Sequence, residues 1–532
     1  MLRSKNVQPA RSNRPGLLVA VLLTAALPLD GDPAFAQAVR SPLHGSLAPG
    51  PHAVGYTTVR LEDPTRPQSP AVRSRGIVAH VWYPAAPEDQ RPMTFADAEV
   101  AHLAGRPAAE LAQRDADVRQ FISQFGPVPD DEWRRLREAP LLSRRDAPPA
   151  AGRFPLIIGQ LRPLSTQITN EYLASHGYVV AMTFGDPIPE PRDAGSALEI
   201  AYRDMEFAIP ELRKLPYVHP QSLAALGFSG AGFSQILLAM RHPEVQAVCD
   251  LESAIFDDRI RWSLSRGFGY DPGALRVPFL HTYSLPLSKL ESRIADFEGM
   301  RYSTRYRYLV DAPGIHHWDF ATEGMAASTV LQNRGENGLR LRQAFETTNR
   351  YVLAFFNAYV KGDAAELAFL RRSPEENGAT AGLATIRELP GIQPAPTIEA
   401  FTRMITDTGV AEAMAGFDAA RAVDPDAPLF REVELNRLAY RLLQQKQADA
   451  AVALFRKAVE LFPQSSNTYD SLAEALESIG DRAEALRATE MGLEVLSRED
   501  LPAERMQQLE EILRARLKRL GGRAAEGRSQ GI

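Results

Sequence analysis

The stretch LAALGFSGAGFSQILLAMRHP, residues 223–243, ends an apolar run in a glycine-flanked serine and continues with helical spacing. A serine at a strand-to-helix junction is forced into a cramped backbone turn, so small residues must flank it two positions away on either side. Gly227 and Ala231 meet that need, and Gly232 lets the following helix lie against the sheet. On such a turn the Ser229 hydroxyl stands exposed at a helix N-terminus, where free N–H groups favour developing negative charge. The usual pattern is G-x-S-x-G, and alanine at the last position departs from it. The chemistry this predicts is nucleophilic attack by Ser229 on an acyl carbon, with the N–H of Gly230 as one oxyanion donor.

A serine nucleophile needs a base and a group to orient that base, in the chain order serine, acid, histidine for this turn type. Four histidines follow Ser229. His242 falls at the far end of the nucleophile helix, and His281 lies within an apolar run and reads as core. His316 and His317 sit in the loop PGIHHWDF after the last apolar run. His317 is favoured as the base, with His316 as its loop neighbour. For the acid, Asp250 ends the run 245–251, whereas the run 277–283 is followed by no acid until Glu291. Asp250 is therefore the expected acid, with Glu252 and Asp257 held in reserve.

Those residues must be positioned by alternating elements. Apolar runs at 156–159, 178–183, 223–227, 245–251, 277–283 and 306–310 alternate with helical spacing at 169–176, 195–215, 230–241 and 343–361. This alternation predicts a doubly wound, mostly parallel sheet with helices on both faces, its ligands held beyond the carboxyl ends of the strands. Two earlier runs, 54–62 and 77–84, read as an antiparallel pair. Between them and the alternating region, residues 93–150 are rich in Ala, Arg, Asp and Glu, with helical stretches at 108–125 and 131–138. That segment reads as a helical lid inserted into the domain.

Ser229, Asp250 and His317, with PLIIGQL, YLASHGYVVA and HHWDF around them, resemble the α/β-hydrolases of the platelet-activating-factor acetylhydrolase and dienelactone-hydrolase-like group. The early GYTTVRLEDPTRP and RGIVAHVWYPA are similar to that group's first strands. The resemblance covers residues 50–362. It implies an acid about twenty residues after the serine, which Asp250 fits, and a base followed by an aromatic residue and Asp-Phe, as in His317-Trp318-Asp319-Phe320. It further implies a cofactor-free, metal-free serine esterase acting on a carboxylic ester with a short acyl group, with lipid and polyester substrates open; a peptidase is the nearest rival. One departure stands out. Where the group carries a His-Gly pair and a glycine-rich turn, this chain has Gly159-Gln160-Leu161-Arg162-Pro163, leaving the backbone of Leu161 as the second oxyanion donor.

Further organisation flanks this region. Basic residues precede the apolar stretch 17–27, and Ala34-Phe35-Ala36 forms a small-x-small site, so residues 1–36 read as a secretory signal peptide too short in its apolar part to span a bilayer. A periplasmic or secreted location follows, with no transmembrane segment after cleavage. The single cysteine, Cys249, precludes an internal disulfide. Residues 366–396 collect Pro and Gly breakers and read as a linker. Beyond it, Ala413, Phe417, Ala420 and Pro425 recur as Ala451, Phe455, Ala458 and Pro463. A third unit runs from Tyr469 through Leu472, Ala473, Gly480 and Asp481 to Ala485. These spacings resemble tetratricopeptide repeats, helix pairs of about 34 residues. They predict an all-helical repeat region over 397–520, closed by a helix at 502–520, with a possible protein partner on its concave face. If the hydrolase site were inactive, that region would carry the function. A length of 532 residues fits such a multi-domain chain, and the net charge of −6 gives no footprint for nucleic acid.

Overall fold

A computed structural model describes residues 41–521 apart from 68–72, 88–89, 104–106, 161–162, 187–193, 254–269, 285–298, 331–334, 395 and 425–429. The expected signal peptide and Leu161, the expected second oxyanion donor, lie outside the described residues.

Ten strands form one sheet in the order β10-β9-β8-β7-β6-β4-β5-β2-β1-β3. The hairpin of β1 (Ala53–Asp63) and β2 (Arg75–Ala85) is antiparallel and joins the rest through an antiparallel pairing of β2 with β5 (Val179–Gly185). From β5 the sheet runs parallel through β4 (Phe154–Gln160), β6 (Val218–Phe228), β7 (Val245–Leu251), β8 (Phe279–Ser284) and β9 (Arg305–Val310). These central strands are near-continuous apolar runs because helices cover both of their faces. On one face, α5 (Ala194–Leu212) and α6 (Gly232–Arg241) bury Met205, Phe233, Ile236 and Leu237. On the other, α4 (Gln167–Ser175) and a long helix, Gly335–Val360, pack Leu173, Tyr351 and Phe355 against Leu226, Phe228 and Tyr306. The mostly parallel, doubly covered sheet, with its reversal between β4 and β6, is an α/β-hydrolase-type fold.

Between β2 and β4 the chain carries three helices, α1 (Phe95–Glu99), α2 (Ala108–Ile122) and α3 (Asp130–Glu138), and returns through the short edge strand β3 (Ser143–Arg145). The root of this lid is tied down by a fully buried carboxylate. Glu171 of α4 accepts from the N–H groups of Leu142 and Ser143, each at 3.0 Å, and pairs with His44 at 3.1 Å. Burial pushes that carboxyl up, but the hydrogen bonds and charge of its partners hold it below its ordinary value. A second buried pair, Arg75 with Asp204 at 2.7 Å through both nitrogens, fastens β2 to α5.

The segment 366–396 is not the bare linker its breakers suggest. It contains most of a helix, Ala364–Leu370, and a tenth strand, β10 (Ala384–Leu389), which pairs antiparallel with β9 and completes the sheet. Its Pro and Gly residues fall mainly in the turns around these elements, and the six-residue strand forms the outer edge of the sheet.

The remaining described chain is helical. Helices Ile398–Thr408 and Val410–Val423, Glu432–Gln444 and Ala448–Leu461, and Ser466–Ser478 and Arg482–Leu496 stack as successive pairs, and Ala503–Leu520 closes the array. Ala413, Ala451, Ala458, Ala473 and Ala485 are buried where helices meet, and Phe401 and Phe417 of the first pair form an aromatic cluster with Phe430, which precedes the third helix of the array. Asp424 accepts a hydrogen bond from Tyr302 Oη at 2.6 Å and pairs with Arg301 Nε at 3.1 Å, anchoring the array to the sheet-containing part.

Candidate active site

Ser229 begins a single tight turn, Ser229–Ala231, between β6 and α6. Its φ of +59° lies in the left-handed region, which a side-chain-bearing residue occupies only when its surroundings impose it. The imposition is visible in the neighbours. A Cβ on Gly227 would come within 2.6 Å of Gln235 Oε1 and 2.7 Å of Gly232 Cα. A Cβ on Gly232 would come within 2.5 Å of Ser253 Cβ. The small residues therefore allow strand, turn and helix to close on one another. At Gly230, by contrast, a Cβ would meet nothing within 4 Å. The alanine at position 231 costs nothing here, because the close approach that demands glycine falls one residue later.

His317 opens a short turn, His317–Phe320, after β9. Its Nε2 lies 2.7 Å from Ser229 Oγ. The ring lies flat on Phe228, with centroids 4.8 Å apart and planes at 17°. Burial lowers its pKa, keeping the imidazole neutral and able to take a proton. His316 plays the neighbouring part: its N–H and Nδ1 each lie 2.9 Å from Asp319 Oδ2, which sets the turn that aims His317.

The expected acid requires a correction. Asp250 does not reach His317; its Oδ1 lies 2.5 Å from His281 Nδ1, and its Oδ2 accepts from Ser253 Oγ at 2.6 Å. All three residues are fully buried. The reason is the two-residue alternation of a strand. Gly227, Asp250 and His281 are register partners, and Asp250 Cβ faces α6, only 3.3 Å from where Gly232 would carry its own. Phe228, one residue on, points to the opposite face and carries His317. Asp250 thus belongs beneath the nucleophile helix, and His281, read as a core residue, is its partner.

Glu252, the reserve acid, emerges beyond the strand end. Leu251 pairs with Phe228, so Glu252 sits beside Ser229 at the carboxyl edge, with φ +47°. Its carboxylate accepts from Ser284 N–H and Ser284 Oγ, each at 2.6 Å. Burial, opposed by those hydrogen bonds and reinforced by Asp250, pushes its pKa up to about 7. Among the described residues no carboxylate hydrogen-bonds His317, and Asp257 lies outside them. Asp250 and Glu252 share strand parity; what separates them is that β7 ends at Leu251, so Glu252 has left the strand.

The loop expected to complete an oxyanion hole starts at Gln160. The turn beyond it, Pro163–Thr166, is fastened to the helix that follows His317: Ser165 Oγ donates to Glu323 Oε1 at 2.9 Å, and Ile168 N–H to Thr322 Oγ1 at 3.2 Å. Among the described residues no group of His, Cys, Asp and Glu could hold a metal ion, and no helix is long and apolar enough to cross a membrane.

The sheet topology is that of an α/β-hydrolase-type fold, with Ser229 in the turn between β6 and α6. No family model matches the chain, and no curated protein matches it. Among solved structures, it is similar to a ferulic acid esterase from Streptomyces cinnamoneus, at 18% identity over 64% of this chain and 96% of that one, with a TM-score of 0.43.

Proposed function

We propose that this chain is an exported serine hydrolase of carboxylic esters. The observation that carries the reading is Ser229 held at φ +59° with its Oγ 2.7 Å from a neutral, half-buried imidazole. His317 Nε2 takes the hydroxyl proton as Oγ attacks the ester carbonyl, and returns it to the departing alcohol. Water then attacks the acyl-enzyme by the same route. The N–H groups of Gly230 and Leu161 stabilise the oxyanion. Of the two described acid candidates, Glu252 is the one at the strand edge, and it would steady His317 during the proton transfer only by exchanging its bonds to Ser284; Asp257 lies outside the described residues. Small-molecule or lipid esters are the substrates, and residues 1–36 direct the chain to the periplasm or outside the cell. The helical array is a tetratricopeptide-like surface for a protein partner. Labelling by a fluorophosphonate, present in wild type and lost in Ser229→Ala, tests the reading; a folded wild type that takes up no probe overturns it.

A second reading draws on the Asp250–His281 pairing. A hydrolase-fold scaffold, its base left without a carboxylate, would leave binding by the helical array as the function. It predicts the absence of labelling.

A further inference from the structure

The lid and the base's own loop meet through aromatic rings. Phe121, on the last turn of α2, stands edge-on to Trp318, with centroids 4.7 Å apart and planes at 80°. Phe125, in the turn after α2, packs edge-on to Phe121 at 5.9 Å and to His316 at 6.1 Å. Trp318 in turn touches Phe228 at 5.6 Å and His317 at 5.4 Å. An unbroken row of rings therefore runs from the lid to the imidazole that holds Ser229. Phe228 is buried, but Phe121, Phe125 and Trp318 are each only partly so. Large apolar rings are normally withdrawn from water; three left half open beside a reacting pair leave planar apolar surface for a ligand.

We propose that Phe121, Phe125 and Trp318 form the wall that binds a neutral aromatic group of the ester, deepening the hydrolase reading on which this rests. One feature favours a ring over an aliphatic chain. Edge-to-face geometry is used by four of the five contacts in the row, the Phe228–Trp318 pair being tilted at 57°, and a planar guest continues it with one more ring at similar spacing. Because the rings lie on the His317 side of Ser229, the aromatic group sits on one side of the scissile bond, either acyl or alcohol.

Methyl benzoate and phenyl acetate separate these two placements, with ethyl acetate as the small reference and ethyl octanoate as the apolar but non-aromatic control. The substitutions Phe121→Leu and Phe125→Leu keep bulk and remove the ring on the partly exposed lid. The expected result is that kcat/KM for one of the aryl esters, relative to ethyl acetate, falls about tenfold in each variant, while the octanoate ratio does not. Equal falls for octanoate, or aryl ratios within twofold of wild type, overturn the aromatic wall while leaving the hydrolase standing. A wild type that neither labels with fluorophosphonate nor cleaves any of the four esters overturns both.

Discussion

Ser229 Oγ and His317 Nε2 lie 2.7 Å apart, joined across 88 residues of chain, and the imidazole rests on Phe228, the residue immediately before the serine. The strand that delivers the nucleophile thus also supports its base. Their separation is fixed by one strand end rather than by two independent loops.

The pH dependence of activity follows from this arrangement. Burial holds the His317 pKa below the ordinary histidine value of 6.5. The base works only when neutral, so in Glu252→Gln, where the Glu252 titration at about 7 is removed, kcat/KM should fall only at a midpoint below 6.5. An acid limb centred above that histidine value in this variant would contradict the assignment. His317→Ala should lower kcat/KM by roughly a thousandfold or more while the protein stays folded.

Asp250 and Glu252 should separate cleanly by readout. Asp250→Ala leaves His281 and Ser253 facing a buried void, and a loss of about 3–5 kcal/mol of stability is expected from breaking such a pair. Glu252→Gln should instead lower kcat by about a hundredfold or more with a small change in Tm. Chemical denaturation and steady-state kinetics on both variants check this. A Glu252→Gln enzyme with wild-type kcat would remove Glu252 from the proposed mechanism.

Two glycines of the turn at Ser229 make a contrasting pair. Gly232→Ala drives its methyl against Ser253 Cβ at 2.5 Å and should abolish probe labelling by displacing α6. Gly230→Ala places its methyl in open space and retains the N–H, so folding and labelling should persist. Comparing labelling rates at equal folded fraction decides the matter.

The lid carries its own pH sensitivity. Glu99 is buried with Oε1 unpartnered among the described residues, and burial, with Asp115 adding to it and Arg114 and Arg137 opposing, pushes its pKa up to about 8. A folded pKa above the unfolded 4.5 means that stability is complete below 4.5 and is lost as pH rises toward 8. Thermal unfolding across that window should show a decline that Glu99→Gln flattens. An identical slope in the variant would exclude Glu99 as its source.

Much of this was legible in the residues. The run 245–251 is β7 to the residue, and the lid stretch 131–138 lies within α3, which starts one residue earlier. His316 and His317 both read as lying in the loop after the last strand, and spacing alone did not separate them; it is His317 whose Nε2 lies 2.7 Å from Ser229 Oγ. β10 was not legible, because ATIREL is short, flanked by breakers and half exposed, and becomes a strand only by pairing with β9. Pro and Gly around it marked turns correctly but not what lay between them.

Residue type and local spacing determined the alternation of strands and helices, the crowded turn at Ser229 and the repeat of helix pairs, since each depends on neighbours within a few positions. Where Asp250 and Glu252 lie was decided by tertiary structure alone. Asp250 and Glu252 differ by two positions in the chain, yet one is locked across β7 and β8 with His281 while the other turns out at the strand end. Only the register of adjacent strands, set by packing on both faces of the sheet, tells a buried structural pair from a group at the reacting edge.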